Sequence, residues 1–224
     1  MNYIYIYMSK TYKLGKTSIT KKKEKWEIHI SNNVIKQSAN NLLQQEKIST
    51  HIAGEILTIA TTNLKTLPEY LIYKNKLVGY DNACKLTTDL VYLETMLEKA
   101  HMCICYYDFS DIVVVNDTVF LFLNDMKVLN IDHDETITIS FPIKETEPFI
   151  YPEIRTAKTL PIIVNYKASY YSLGLLVLKI LLPEKKDMIV FNEKIQEVLY
   201  PTRLYWFLIS VLEMDPEKRK LIML

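Results

Sequence analysis

The sequence predicts an α+β protein in which a strand-rich first part with one main helix is followed by a mainly helical second part. Two observations predict this division. Before about residue 80, apolar and polar residues alternate at the period of two that is typical of half-buried strands, as in Trp26–Ile30. After residue 80, apolar residues recur at helical spacing, most clearly from about Thr87 to Tyr107.

Three segments near the start are predicted as strands. Asn2–Tyr7 mixes aromatic and β-branched residues, which favour strands, and Trp26–Ile30 alternates as described. Asn32-Asn33 predicts a turn, because asparagine side chains satisfy local backbone groups. We therefore expect Val34–Lys36 to begin the next strand.

A helix and a hairpin complete the first part. From Asn41 to about Asn63, apolar side chains fall near one stripe of a helical surface. Leu71–Tyr73 and Lys76–Tyr80 then flank a short polar turn, which predicts two paired strands.

The second part has one strand-like interruption. Val119–Leu123 and Met126–Ile131 surround Asn124-Asp125 and predict a hairpin with a tight turn. An irregular segment follows to about Pro161, and then an apolar helix over Ser169–Leu182 and two shorter helices.

Composition narrows the function classes. A chain of 224 residues can bury one good core or two small lobes, and the formal net charge of +1 gives no bulk attraction to nucleic acid or anionic membrane. The lysine-rich run Lys21–Lys25 is either a solvated hairpin or a local binding patch. Three cysteines suit a reducing compartment, and the apolar run Leu173–Leu182 is too short to span a bilayer. We expect a single intracellular domain without a membrane span.

Three segments in the last third resemble the protein-kinase fold. Phe149–Glu153 resembles the A-P-E end of the activation segment, Tyr170–Leu176 the D-x-W-S-x-G helix, and Leu212–Arg219 the D-P-x-x-R close. The resemblance implies a two-lobed fold, with a front lobe over 1–80, a hinge over 81–84 and a back lobe over 85–224. It also implies a buried ion pair between Glu153 and Arg219.

The resemblance also implies where ATP would bind. Gly15 lies where the glycine-rich loop belongs, although only the first glycine of that loop is present. Lys36 resembles the phosphate-binding lysine, and Glu55, nineteen residues later, its partner on the following helix. An exposed pair of charges and pairing with Glu46 are the alternatives. The hinge would meet adenine near Asp81 and Asn82; the string Gly15-Lys16-Thr17 also ends like a P-loop, which we take as a chance match.

The catalytic motif H-R-D-L-x-x-x-N is not spelled anywhere in the chain. One register places its aspartate at Asp108, and the favoured one treats Ile112–Val114 as the preceding strand, which leaves Asp117 near the catalytic position. Asp132 resembles the magnesium-binding aspartate of D-F-G, with a turn aspartate as the alternative. Ser169 replaces the aspartate of the D-x-W helix.

These motifs favour a divergent kinase-like protein that has lost phosphotransfer and acts by binding a protein partner: a kinase, a kinase substrate or a regulator. Two alternatives keep ATP and magnesium as cofactors. One is an active Ser/Thr kinase that uses Lys36, Asp117 and Asp132, and the other is a switch that binds ATP without turnover. A fourth interpretation is a purely structural protein with this fold.

Overall fold

The computed structural model describes residues 10–75, 78–144, 148–155, 157, 159–183 and 193–224. Within these ranges the chain is a mixed α+β protein, as the sequence predicts. The predicted strand Asn2–Tyr7 lies outside the described residues.

A five-stranded antiparallel sheet and one helix form the first part. In chain order its elements are β1 (Thr11–Leu14), β2 (Thr17–Lys22), β3 (Lys25–His29), α1 (Asn33–Gln45), β4 (Thr50–Ala53) and β5 (Ile56–Ile59). The strand order is β1-β2-β3-β5-β4. In β3, Trp26 and Ile28 are buried while Lys25 and His29 are exposed, so the predicted alternation is confirmed.

Helix α1 starts earlier than the sequence prediction. The side chain of Asn32 accepts hydrogen bonds from the backbone N–H groups of Val34 and Ile35, which caps the helix at the predicted turn. Val34–Lys36 is therefore the first turn of a helix, and the prediction of a strand there is wrong. The cap also aligns a buried stripe that includes Ile35 and Leu43.

The helix predicted from Asn41 to Asn63 is also wrong beyond Gln45. Strands β4 and β5 occupy most of that segment and turn at Gly54, whose φ of +60° is easily adopted only without a Cβ. Ile52, Ile56 and Ile59 have helical spacing by coincidence, because two short β-branched strands joined by a tight turn give the same spacing.

The second part contains short strands and most of the helices. In chain order they are β6 (Leu64–Thr66), α2 (Leu67–Tyr73), α3 (Tyr80–Lys99), β7 (Met102–Ile104), β8 (Ile112–Val115), β9 (Val119–Phe122), β10 (Val128–Asn130), β11 (Thr136–Ile139), α4 (Pro152–Arg155), β12 (Ile162–Asn165), α5 (Ala168–Leu181), α6 (Glu193–Leu199) and α7 (Arg203–Val211). Three 3-10 turns cover Phe109–Asp111, Asp125–Lys127 and Pro216–Lys218.

The structure replaces the predicted hairpin at residues 71–80 with the end of α2 and the start of α3. Thr66 and Glu69 form a capping box that begins α2, so Leu71–Tyr73 is helical. Residues 76 and 77 lie outside the described residues. Residues 81–84, predicted as a hinge, form the first turn of α3.

Helix α3 ends before the predicted position of Tyr107. His101 has a φ of +55°, which ends the helix, and the chain continues into β7. Strand β7 pairs with β10, with Cys103 opposite Leu129.

The predicted pairing around Asn124-Asp125 is wrong as well. Strand β9 pairs antiparallel with the preceding strand, β8, and the turn between them contains Asn116-Asp117. Strand β6 completes a three-stranded sheet in the order β6-β8-β9. Every residue of β8 and β9 is buried. The strand prediction at Ile112–Val114 is therefore confirmed, but its partner is not the predicted one.

Helix α5 matches the predicted helix to within one residue at each end, and it packs on α7. A Cβ added at Gly174 would lie 2.7 Å from side-chain atoms of both Val211 and Leu212. The glycine is therefore needed for the close approach of these helices. Among the described residues, no helix is both long and apolar enough to cross a membrane.

Candidate functional site

The β1–β2 turn lies directly against the 3-10 turn that follows β9. Gly15 occupies this turn with a φ of +63°. A Cβ at this position would overlap the amide oxygen of Asn124 and would crowd the side chain of Met126. Glycine is therefore required here both by its backbone conformation and by the close approach of the opposite turn.

One carboxylate connects these two turns with the start of α1. The backbone N–H of Lys16 donates to Oδ1 of Asp125 at 3.2 Å, and Oγ of Ser31 donates to Oδ2 at 2.6 Å. Asp125 therefore joins the β1–β2 turn and the β3–α1 connection to the second part of the chain.

A buried polar cluster lies beside this contact. Asp111 accepts a hydrogen bond from Nδ2 of Asn124 at 2.6 Å through Oδ1, and Nζ of Lys127 lies 2.6 Å from Oδ2. Burial raises the pKa of Asp111, and Lys127 and Asn124 oppose part of that rise. Nζ of Lys127 also lies 3.8 Å from the ring centre of Tyr106. Both oxygens of Asp111 thus have partners within the protein.

The side chains of this cluster do not form a magnesium-binding site. Mg²⁺ requires near-octahedral oxygen ligands, with carboxylates as its usual protein partners. Here the Asp111 carboxylate is bound to an ammonium group and an amide, so a metal ion would have to displace Lys127. In the described part of the chain, no group of three or more His, Cys, Asp or Glu side chains could hold a metal ion.

Lys36 and Glu55 are not arranged as the sequence predicts. Lys36 is buried in the first turns of α1, where its Nζ donates to the backbone oxygen of Gly54 at 2.7 Å. Glu55 lies exposed in the β4–β5 turn, and no ion pair joins it to Lys36 within the described ranges. The proposed rival partner, Glu46, pairs instead with Lys85 at 3.2 Å. The lysine is thus on a helix and the glutamate in a turn, which reverses the predicted placement.

The predicted hinge residues Asp81 and Asn82 are also displaced. They lie in the first turn of α3, where Asp81 is exposed and Asn82 is half-buried. A helical turn directs its backbone N–H and C=O groups along its own axis, so it does not present the free edge that the hinge prediction requires.

Asp117 lies in the β8–β9 turn, where it and Asn116 have left-handed backbone conformations. Its carboxylate pairs with Lys65 at 3.0 Å and lies 3.9 Å from Lys74. Partial burial opposes ionisation, but the Lys65 hydrogen bond and charge hold the pKa of Asp117 below its ordinary value. Since Asp111 and Asn124 are at the opposite end of this hairpin, Asp117 does not belong to their cluster.

Asp132 follows β10 in an exposed turn. Its backbone N–H donates to the carbonyl oxygen of Thr136 at 2.8 Å, and its carboxylate accepts from Oγ1 of Thr138 at 3.4 Å. These contacts hold a local turn. Among the described residues they do not connect Asp132 with Gly15, Lys36 or Asp111.

The contact predicted between Glu153 and Arg219 is present. Nη1 of Arg219 lies 2.7 Å from Oε1 of Glu153, and the arginine side chain is 0% exposed. The guanidinium also donates to the carbonyl oxygens of Glu213, Met214 and Lys167 at 2.8, 3.2 and 3.4 Å. This network satisfies each guanidinium nitrogen and joins α4 to α5 and to the segment after α7.

Ser172 of α5 holds the loop that precedes β8. Oγ of Ser172 accepts a hydrogen bond from the backbone N–H of Tyr107 at 2.9 Å. The hydroxyl of Tyr107 donates to Oε1 of Glu94 at 2.8 Å, and both residues are fully buried. Ser169, the residue in the predicted aspartate position, is buried on the same helix.

Sequence reasoning missed the residues that form the site: Asp111, Asn124, Asp125 and Lys127. The available signal was a polar residue near each outer end of two fully apolar strands. Asp111 directly precedes β8, and Asn124 follows β9 after one intervening residue. Recognition of that signal required the correct pairing of β8 with β9.

Comparisons with known proteins add no further guide. No family model matches the chain, and no curated protein matches it significantly. The function therefore has to be inferred from the geometry described above.

Proposed function

We propose that the chain is a two-lobed, protein-kinase-like protein that does not transfer phosphate and acts by binding a protein partner. Two features support the kinase-like part. The five-stranded antiparallel sheet has its helix inserted between β3 and β4. In the second part, Glu153 and Arg219 make the ion pair that the resemblance implies.

The observation that carries the loss of phosphotransfer is the contact of Asp125 with the β1–β2 turn. The resemblance assigns this turn to the phosphates of ATP, whose close approach needs free backbone N–H groups. Here the Lys16 N–H is bonded to a carboxylate, and Gly15 packs against Asn124. A phosphate would therefore meet an occupied donor and a negative charge.

A second line of support comes from the ends of the β8–β9 hairpin. Kinases hold their magnesium ions with an aspartate and an asparagine. In this chain Asp111 and Asn124 provide one carboxylate and one amide, but these groups bind each other and Lys127. The residues needed by the active-kinase alternative are separate: Lys36 is on α1, Asp117 in the β8–β9 turn and Asp132 beyond β10.

Nucleotide binding tests this proposal directly. We expect no rise in melting temperature with ATP, with or without Mg²⁺, and no incorporation of labelled phosphate into the protein or a generic substrate. An active Ser/Thr kinase measured in the same buffers is the positive control. A magnesium-dependent rise in melting temperature would contradict the proposal.

An aromatic surface on α7 and the turn before it supports protein binding. The rings of Tyr200, Tyr205 and Trp206 lie edge to face with centroids 4.9–6.1 Å apart. Tyr200 is 59% exposed and Trp206 is 51% exposed. Exposed aromatic residues in clusters are enriched among the residues that dominate protein interfaces.

Replacement of Tyr200 and Trp206 with alanine tests this surface. We expect the double variant to keep its fold by circular dichroism and to lose the proteins that co-purify with the wild type from its source cells. Ile163→Ala, which removes an exposed apolar side chain on β12, is the control. Equal loss in the control, or retention in the double variant, would place partner binding elsewhere.

A further inference from the structure

Two hydrogen-bond donors from separate segments converge on one carboxylate at the surface. The Lys16 N–H comes from the β1–β2 turn, and the Ser31 hydroxyl comes from the connection between β3 and α1. Both residues are exposed, so water could satisfy either donor. Their shared partner is instead the Asp125 side chain from the second part of the chain.

We infer that these donors form an oxyanion site and that Asp125 occupies it as an internal ligand. The ligand class is a phosphate- or sulfate-type oxyanion, whose oxygens accept hydrogen bonds in the same way as the two carboxylate oxygens. The inference rests on the proposed function, because it supplies the reason why external phosphates are excluded.

The surroundings of the site favour an anion. In the described part of the chain, no hydrogen bond or ion pair engages the side chain of Lys13 or that of Lys16, and both are exposed on the same strand and turn. Gly15 carries no Cβ, and the side chain of Asn124 fills the space beside it. The nearby charge of Asp111 is already paired with Lys127. Removal of the Asp125 carboxylate therefore leaves two donors and unpaired positive charge.

Competition explains why the wild type should not respond to free anions. Asp125 is part of the same chain, so its effective concentration at the two donors is on the order of millimolar or higher. A free anion must exceed that concentration and must also bring its own negative charge close to Asp125. We expect wild-type protein to ignore millimolar phosphate.

The test is a phosphate titration of the Asp125→Ala variant at constant ionic strength, with chloride as the replaced anion. We expect the melting temperature of the variant to rise with inorganic phosphate, with half of the effect in the millimolar range, while wild type stays flat. Ser31→Ala in the same background should weaken the response severalfold. Glu55→Ala removes one exposed carboxylate from the β4–β5 turn and should not respond.

A second measurement covers the case in which Asp125→Ala does not fold. Asp125→Asn keeps the side-chain shape and one acceptor oxygen, and phosphate should shift the backbone amide resonance of Lys16 in this variant but not in wild type. A folded variant without any phosphate response overturns the inference, as does an equal response in Glu55→Ala. Either result overturns this inference but not the proposed function, provided that ATP does not raise the melting temperature of the wild type. Binding of ATP with Mg²⁺ by wild type would instead contradict the proposed function.

Discussion

Glu94 is a carboxyl group enclosed by the core of the second part. Its Oε1 accepts a hydrogen bond from the hydroxyl of Tyr107. Burial raises the pKa of Glu94 to about 8, although this hydrogen bond opposes part of the rise. At neutral pH the folded protein therefore holds a proton on Glu94 that the unfolded chain, with an ordinary pKa of 4.5, has already released. This difference makes stability depend on pH.

We expect the free energy of unfolding to fall as pH rises from about 4.5 to about 8, by up to about 1.4 kcal/mol for each pH unit from this group. Stability falls with rising pH because the folded state binds more protons than the unfolded state in that window. Glu94→Gln should remove this part of the slope in urea unfolding measured at several pH values. Glu55→Gln, at an exposed glutamate, should retain the wild-type slope.

Arg219 is a fully buried cation that pairs with the carboxylate of Glu153. Arg219→Ala removes the buried guanidinium that pairs with Glu153 and donates to three carbonyl oxygens, so we expect a loss of about 3–5 kcal/mol in the free energy of unfolding. Urea denaturation would measure it. Lys218→Ala, which removes an exposed neighbour paired with Asp215, should cost under about 1 kcal/mol. Equal effects in the two variants would show that the buried network contributes little.

At the scale of elements, the packing of α5 on α7 depends on one missing side chain. Gly174→Ala should raise helix propensity by about 1 kcal/mol but insert a methyl group into Val211 and Leu212. We expect a net loss of about 1–2 kcal/mol in the free energy of unfolding by urea denaturation. Gly79→Ala is the control, because among the described residues no atom beyond its two chain neighbours lies within 4 Å of its added Cβ. If Gly174→Ala were more stable than wild type, α7 would have to move away from the added methyl group at little cost in free energy.

The elements that the sequence predicts correctly are those whose own residues decide their structure. Helix α5 is a long apolar segment, and β3 and β8 carry strong strand patterns. The errors arise where pairing decides. Asn116-Asp117 and Asn124-Asp125 are the same dipeptide, and local preference does not distinguish which one turns the hairpin. The structure uses the first, which leaves Asn124 and Asp125 to form the site.

At the scale of the whole molecule, a few polar contacts join the first sheet to the second part, in addition to the hydrophobic core that the two share. Glu69, at the start of α2, accepts the hydroxyl of Tyr12 at 2.7 Å and pairs with Lys10 at 3.0 Å. Asp125 makes the corresponding contact at the β1–β2 turn. Both contacts are at least partly exposed, so their loss should loosen the sheet without unfolding the core.

Combined replacement of Glu69 and Asp125 by alanine should increase hydrogen exchange in β1 and β2 while α5 stays protected. Mass-spectrometric hydrogen exchange of the full chain would show this. Glu27→Ala, which breaks the Lys25–Glu27 pair within the sheet, is the matched control and should change exchange only locally. A uniform increase over both parts would mean that the two parts unfold together.

The contact at Gly15 has a consequence for how this protein could be opened. The β1–β2 turn and the turn at Asn124 are separated by less than the size of one methyl group. Any side chain at residue 15 would therefore act as a wedge that forces the two surfaces apart, and it would strain the hydrogen bonds that Asn124 and Asp125 make at this contact. A graded series of residues at this position would set the width of the gap between the two turns, and with it the strength of the Lys16–Asp125 contact.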